Sequence, residues 1–171
     1  MADTTKLNIG AGPRKIPGYL SVDLYAPNAD VIAPADNLPY DDNTVAEIYC
    51  SHMIEHLLPA EQESALKEWR RVLAPGGTLT IRCPNFDLYL QDYLSVPPAE
   101  RLDKPHLLRN IFGFRNTDGQ CHHDGFTPER LQHDLSKAGF EVVECYYTGP
   151  RPDHKRNPKR PADIVCVARK E

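Results

Sequence analysis

Seven short runs rich in apolar residues recur along the chain, each bounded by turn-forming residues, a pattern typical of β-strands. They are KLNI (6–9), YLSVDLY (19–25), ADVIAPA (29–35), VAEIYCSH (45–52), TLTIRCP (78–84), FEVVECYY (140–147) and ADIVCVARK (162–170). Segments with helical spacing lie between several of these runs. Alternating strands and helices predict an α/β fold, with a mainly parallel sheet and helices on both faces.

Two segments carry apolar residues three or four positions apart, which predicts helices with one buried face. The first covers 59–74 and ends at PGG (75–77), and the second begins after Thr127 as N-cap and ends at Gly139. Their predicted buried residues are Leu66, Trp69, Val72 and Leu73 in the first helix and Leu131, Leu135 and Ala138 in the second.

Two regions do not follow this alternation. Residues 85–125 contain two short helical stretches, DLYLQDYL and PHLLRNIF, interrupted by prolines, while 148–161 is rich in proline and basic residues. The chain shows no internal repeat and no linker. We therefore expect a single domain over 1–171, with 85–125 as a cap on the acceptor side of a binding site.

The first predicted strand leads into Gly10-x-Gly12, and the second contains Asp23. Glycines let the backbone approach a ligand closely, and a carboxylate at a strand end can accept two hydrogen bonds from a ribose diol. In dinucleotide-binding folds the acid follows the glycines by about 20 residues, after a full helix. Asp23 comes too early for that helix, which argues against a dinucleotide.

The order of motifs resembles that of class I S-adenosylmethionine-dependent methyltransferases. The stretches that carry the resemblance are LNIGAG, VDL, ADNLPYDDNTVAEIYCSHMIEHL and EWRRVLAPGGTLTIRCPN. The resemblance implies a Rossmann-like three-layer αβα sandwich, whose mainly parallel seven-stranded sheet has an antiparallel last strand. A small subgroup, often associated with cell-surface glycans, is similar in replacing the first helix with a short turn, here PRKIPGYL.

The same resemblance implies S-adenosyl-L-methionine as cofactor, with Asp23 on the ribose and Asp36 near the adenine amino group. From the residues alone, Asp36 is equally compatible with an Asx-turn. The implied cofactor-binding residues are Asn8, Gly10, Ala11, Gly12, Asp23, Leu24, Asp36, Asn37, Leu38 and Ser51.

Histidines directly after the fourth strand and in CHHDG (121–125), far along the chain, are the candidates for catalysis. A neutral imidazole can accept a hydroxyl proton during methyl transfer, so we predict a general base among His52, His122 and His123. We predict no metal. Some O-methyltransferases have an E-x-x-E-H metal motif at this place, which leaves open an alternative site at His52, Glu55 and His56. His122 or His123 could supply a further ligand, and such a site would suit Zn, Mn, Fe or Ni.

The predicted function is O-methylation of a small molecule or a cell-surface glycan precursor, because the fourth strand lacks the Asn-Pro-Pro-Tyr pattern of amino-methylating nucleic-acid enzymes. Two alternatives share the fold. One is a non-catalytic S-adenosylmethionine-binding or regulatory module, and the other is an aminopropyl transferase, which usually needs more acidic residues around its amine site.

Composition narrows the partners and the location. The chain has 20 Lys and Arg against 24 Asp and Glu, so no nucleic-acid partner is expected. No apolar run approaches the ~18 residues that span a bilayer, so no membrane insertion is expected. The five cysteines are scattered without a Cys-x-x-Cys pair, and four of them lie in strand-like runs as small buried apolar residues. With no secretory signal visible, we expect a cytoplasmic protein of open oligomeric state.

Overall fold

A six-stranded mixed sheet forms the centre of the computed structural model, which describes residues 4–114, 119–148 and 163–171. The strands are β1 (Lys6–Ile9), β2 (Leu20–Val22), β3 (Val45–Ser51), β4 (Leu73–Pro84), β5 (Phe140–Tyr147) and β6 (Asp163–Lys170). Their order is β2-β1-β3-β4-β6-β5. β6 runs antiparallel to both neighbours and the other pairs are parallel. The predicted α/β class with an antiparallel last strand is confirmed, but the sheet of the described residues has six strands rather than the predicted seven.

The described residues contain four α-helices, of which α1 and α4 pack against the sheet. They are α1 (Pro59–Val72), α2 (Phe86–Ser95), α3 (His106–Phe112) and α4 (Pro128–Lys137), with 3₁₀ turns at Ile54–His56 and Pro98–Glu100. The two long predicted helices correspond to α1 and α4. α4 begins as expected, because the Thr127 side chain accepts a hydrogen bond from the Arg130 N–H.

The third predicted strand, at 29–35, is wrong as a full strand. Val31 makes one parallel bridge to Val22, at the edge of the sheet beside β2. Pro34 cannot donate a ladder hydrogen bond, and Ile32 is 63% exposed rather than packed in a core. The segment therefore touches the sheet once and then turns toward the strand ends.

No helix connects β1 and β2, as the short spacing between Gly12 and Asp23 predicted. Residues 10–19 form turns instead, in which Arg14 N–H donates to the Ala11 carbonyl and Tyr19 N–H to the Ile16 carbonyl. The Tyr19 hydroxyl hydrogen-bonds Glu47 of β3. Burial and this bond together raise the pKa of Tyr19 to about 12, so the hydroxyl keeps its proton and ties the turn to the sheet.

The core lies on one face of the sheet. Cross-strand neighbours such as Leu7, Ile48 and Leu79 are fully buried there, and α1 adds Trp69 and Val72. Burying side chains of this size stabilises a fold by about 1.5–3 kcal/mol each before entropy is counted. This packing fixes the strand ends, where the binding site lies.

The cysteine prediction is wrong for one pair. Cys145 on β5 and Cys166 on β6 are directly opposite in the antiparallel register and form a disulfide. Cys50 and Cys83 are buried and unpaired, as expected. Within the described ranges, no helix combines the length and the apolar character that crossing a membrane requires.

Candidate functional site

A cleft of about 790 Å³ opens at the carboxyl ends of β1, β2 and β3, where open α/β sheets bind ligands. Its volume lies within the roughly 300–1,000 Å³ typical of small-molecule sites. The lining residues that matter below are Gly10, Gly12, Asp23, Tyr25, Asp36, His52, Met53, His56, Phe114, Gln120 and His123.

Asp23 holds the loop after β1 against the turn after β2. One carboxylate oxygen accepts a hydrogen bond from the Gly12 N–H at 2.7 Å, and the other accepts from the N–H groups of Tyr25 and Ala26 at 2.8 and 2.9 Å. The Gly10 N–H donates to the Val22 carbonyl at 2.8 Å. The carboxylate is thus fixed at the cleft wall by backbone donors.

Gly10 and Gly12 are required in the loop for different structural reasons. Gly10 has φ = 69°, and an added Cβ would lie 2.1 Å from Met53 Cγ, so this glycine makes room for the loop after β3. Gly12 has φ = 54°, but an added Cβ would meet nothing within 4 Å. Because Gly12 also lines the cleft, that open space is available to a ligand.

Alanine at these two positions is expected to separate folding from binding. Gly10→Ala should destabilise the fold by about 2–4 kcal/mol, through left-handed strain and the clash with Met53. Gly12→Ala should lower stability by only about 1–2 kcal/mol, through strain alone, and weaken cofactor binding at least tenfold. Urea unfolding and calorimetric titration measure both; a Gly12→Ala variant that binds normally would contradict this role.

The segment at 33–38 forms another wall of the cleft and is anchored from behind by α1. The Trp69 Nε1–H donates to the Ala35 carbonyl at 2.8 Å, and the Leu38 N–H donates to Glu68 Oε1 at 2.7 Å. Asp36 is exposed and lines the cleft, whereas Leu38 is 3% exposed and belongs to the core.

His52 follows β3 with φ = 54°, a left-handed conformation that is rare for residues other than glycine. Its Nε2 lies 3.2 Å from Oδ2 of Asp163, which is fully buried, and its Nδ1 lies 3.6 Å from Glu55 Oε1. Burial lowers the pKa of His52, but the two carboxylates outweigh it and raise this pKa to about 9. The imidazole is therefore charged at neutral pH, which suits a hydrogen-bond donor better than a base.

The other two predicted histidines differ in their access to the cleft. His123 is exposed and lines the cleft, and its backbone N–H donates to the Glu55 carbonyl at 2.8 Å. His122 lies behind it, with its ring 4.9 Å from the ring of His56. Burial is the main cause that lowers the pKa of His122.

The predicted cofactor residues also divide. Those that line the cleft are Gly10, Gly12, Asp23, Leu24 and Asp36. The other five are placed away from its lining: Asn8, Ala11 and Leu38 are buried, Ser51 pairs with β4, and the exposed Asn37 donates to the Pro34 carbonyl.

Sequence reasoning missed Asp163, which accepts hydrogen bonds from Arg82 at 2.7 and 2.5 Å and also contacts His52. In the sequence, this residue could have been noticed as an acid at the start of an otherwise apolar run. Because β6 is antiparallel, its first residue pairs with Pro84 at the same sheet edge where β4 ends.

Residues 17–81 match the family described as "Methyltransferase domain". A curated relative, "Probable methyltransferase ltbC" of Aspergillus luteorubrus, is 42% identical over 48 residues. That stretch spans 28% of this chain and 17% of the relative.

Solved structures share the fold over nearly the whole chain. A S-adenosylmethionine-dependent methyltransferase of Methanosarcina mazei has a TM-score of 0.68 at 20% identity, covering 99% of this chain and 93% of that one. The Burkholderia thailandensis 1,6-didemethyltoxoflavin-N1-methyltransferase, solved with 1,6-didemethyltoxoflavin and S-adenosylhomocysteine, has a TM-score of 0.62 at 18% identity, covering 97% and 70%. Residues 17–81 thus match a methyltransferase domain, and over nearly its whole length the chain has the fold of S-adenosylmethionine-dependent methyltransferases.

Proposed function

We propose that this protein transfers the methyl group of S-adenosylmethionine to a hydroxyl oxygen of a small molecule or glycan precursor. One observation carries the proposal. A single cleft has the Gly12 loop and Asp23 at the β2 side and His52 and His123 at the other, so it can hold a cofactor and an acceptor together.

The residues at the β2 side fit the cofactor. Asp23 presents a carboxylate fixed by backbone donors, and the space beside Gly12 is open. S-adenosylmethionine supplies a methyl group already activated on a sulfonium. The protein therefore contributes mainly by holding acceptor and methyl group in line and by excluding water.

We propose the segment at 85–125 as the acceptor-side cap. Phe114 and Gln120 from this segment line the cleft. A Cβ on Gly119 would lie 2.9 Å from the ring of Tyr25, so the far end of the segment touches the loop after β2. The segment therefore borders the cleft and also contacts the loop after β2.

His123 is the favoured base among the three predicted histidines. It lines the cleft and is exposed there, whereas His52 is held as a cation and His122 lies behind the cleft wall. A base within reach of the acceptor hydroxyl would remove its proton as the methyl group is transferred.

His123→Gln is expected to lower kcat about 10²–10⁴-fold while leaving S-adenosylmethionine affinity within about twofold. The assay follows S-adenosylhomocysteine formation over a panel of hydroxyl acceptors and their amine isosteres. His133→Gln, which removes an exposed imidazole from α4, is the matched control. Equal turnover of His123→Gln and wild type would remove the base assignment, and preference for the amines would overturn O-methylation.

The alternative is a non-catalytic module that binds S-adenosylmethionine, and the comparisons do not favour it. The small-molecule N1-methyltransferase of Burkholderia thailandensis shows that this fold supports transfer to a small acceptor.

The predicted cytoplasmic location stays a prediction, and the Cys145–Cys166 disulfide weighs against it, because disulfides are rare in reducing compartments.

A further inference from the structure

Three side chains of metal-ligand type meet beside the cleft although they come from distant parts of the chain. Glu55 and His56 lie in the 3₁₀ turn after β3, and His122 lies in the segment before α4. One ligand atom from each side chain lies within 4.8 Å of the others.

Glu55 is the least satisfied polar group of this cluster. Its side chain is 1% exposed, and both carboxylate oxygens are buried without a hydrogen-bond partner. Buried carboxylates are normally paired, hydrogen-bonded or bound to a metal, because an isolated buried charge is very unfavourable. Two unsatisfied oxygens in one buried carboxylate therefore point to a missing cation.

Both imidazoles leave one ring nitrogen available to a metal ion. His56 Nδ1 lies 3.0 Å from the Cys121 carbonyl oxygen, and His122 Nδ1 lies 3.2 Å from the Ile111 carbonyl oxygen. A carbonyl oxygen only accepts, so each Nδ1 carries the proton and each Nε2 keeps a free lone pair. Metal-binding histidines are typically held in this way, by a backbone carbonyl on the second ring nitrogen.

We propose that Glu55, His56 and His122 bind one divalent transition-metal ion at the cleft wall. Two imidazoles and one carboxylate suit Zn²⁺, Fe²⁺ or Mn²⁺ better than Mg²⁺ or Ca²⁺, which prefer all-oxygen sites. Ligand atoms bound at about 2.1 Å in a tetrahedral site lie about 3.4 Å apart, so the cluster closes by up to about 1.4 Å when it binds the ion.

Three protein ligands leave coordination positions open, as in catalytic metal sites. His56 lines the cleft, whereas Glu55 and His122 line a small cavity beside it, so the proposed ion lies between the two. Metal binding itself rests only on the cluster; a role in orienting an acceptor oxygen rests on the proposed function.

His52 offers a competing explanation for the buried carboxylate. Its Nδ1 lies 3.6 Å from Glu55 Oε1, and it would supply positive charge without any metal. That distance is too long for a hydrogen bond, and the carboxylate oxygens stay unbonded. The rival ligand set is His52, Glu55 and His56. It differs from the proposed set in containing His52 instead of His122.

The test is titration of the untagged, chelator-treated protein with Co²⁺ in the absence of S-adenosylmethionine, followed by calorimetry and visible absorption. Wild type is expected to bind one equivalent of Co²⁺, displaceable by Zn²⁺, with Mg²⁺ much weaker. Glu55→Gln, His56→Gln and His122→Gln should each lose about 100-fold or more in affinity, since loss of a second-shell partner alone costs about 10–100-fold.

His133→Gln is the matched control, because it removes an exposed imidazole on α4 that belongs to neither ligand set. It should bind Co²⁺ as wild type does, whereas His52→Gln, which removes a neighbour of Glu55 rather than a ligand, should weaken binding less than His122→Gln does. Absence of Co²⁺ binding by wild type would overturn the proposal, as would equal binding by wild type and His122→Gln. Loss of binding in His52→Gln with normal binding in His122→Gln would assign the rival set.

A variant that fails to fold, as judged by circular dichroism, does not block the test. Paramagnetic Co²⁺ added to wild type should shift the imidazole ring-proton resonances of His56 and His122 and leave those of His133 in place. Unshifted His122 resonances would overturn the ligand set. Because cofactor is absent throughout, failure of this proposal is distinguishable from failure of methyl transfer.

Discussion

Asp23→Ala is expected to abolish measurable S-adenosylmethionine binding, with affinity falling about 100-fold or more. A carboxylate at this place would accept hydrogen bonds from the ribose diol, and bonds to a charged group are worth about 1.5–3 kcal/mol each. Two of them correspond to roughly a hundredfold or more in the dissociation constant. Calorimetric titration of wild type and variant measures the difference directly.

The same carboxylate also holds the Gly12 loop, so binding and folding must be separated. Asp23→Asn keeps one carbonyl oxygen to accept from the backbone, and should retain more stability than affinity. Asp103→Ala, an exposed carboxylate in the cap, is the matched control and should bind as wild type does. Wild-type affinity in Asp23→Ala would place the ribose elsewhere, and absence of binding by wild type would contradict the proposed function.

Local patterns were sufficient to predict most of the sheet. β1, β3, β5 and β6 and the helix α1 agree with their predicted ranges to within a few residues, because their apolar spacing reflects burial against one core. The prediction of a strand at 29–35 was wrong although the segment is rich in apolar residues, because the neighbouring strand β2 comprises only Leu20–Val22. A strand needs a partner of matching length, and that is a property of the whole sheet.

The site was predictable where strand ends determine it. Gly10, Gly12 and Asp23 reach the cleft because parallel strands bring their carboxyl ends to one edge. Leu38 did not, because its orientation depends on Glu68 of α1 accepting from its backbone. Side-chain direction in a turn cannot be inferred from neighbouring residues alone.

Contacts between distant parts of the chain were beyond the sequence. The Cys145–Cys166 disulfide requires the register of two antiparallel strands, and neither cysteine spacing nor composition specifies it. The pairing of His56 with His122 requires the path of the cap. Predicting the position of Asp163 would have required the direction of β6. That direction decides whether the first residue of the strand lies at the cleft or at the opposite edge of the sheet.

Asp163→Ala is expected to destabilise the protein by about 2–4 kcal/mol, somewhat less than the ~3–5 typical of breaking a fully buried pair. Asp163 is fully buried and accepts from Arg82 at 2.7 Å, while His52 lies 3.2 Å away. Both cations are one-third exposed, so water offsets part of the loss. Without this carboxylate, His52 also loses a contact that holds it in its left-handed conformation at the cleft.

Urea unfolding measures this change as a lower midpoint at an unchanged slope. The matched control is Asp42→Ala, which breaks a 2.6 Å pair with Arg71 in which the Asp42 side chain is 67% exposed, and which should change stability by less than about 1 kcal/mol. Asp163→Asn retains one oxygen for Arg82 and should fall between the two. If Asp163→Ala unfolds at the same urea concentration as Asp42→Ala, Asp163 does not organise this edge of the cleft, and the position of His52 must depend on Glu55 and the local turn instead.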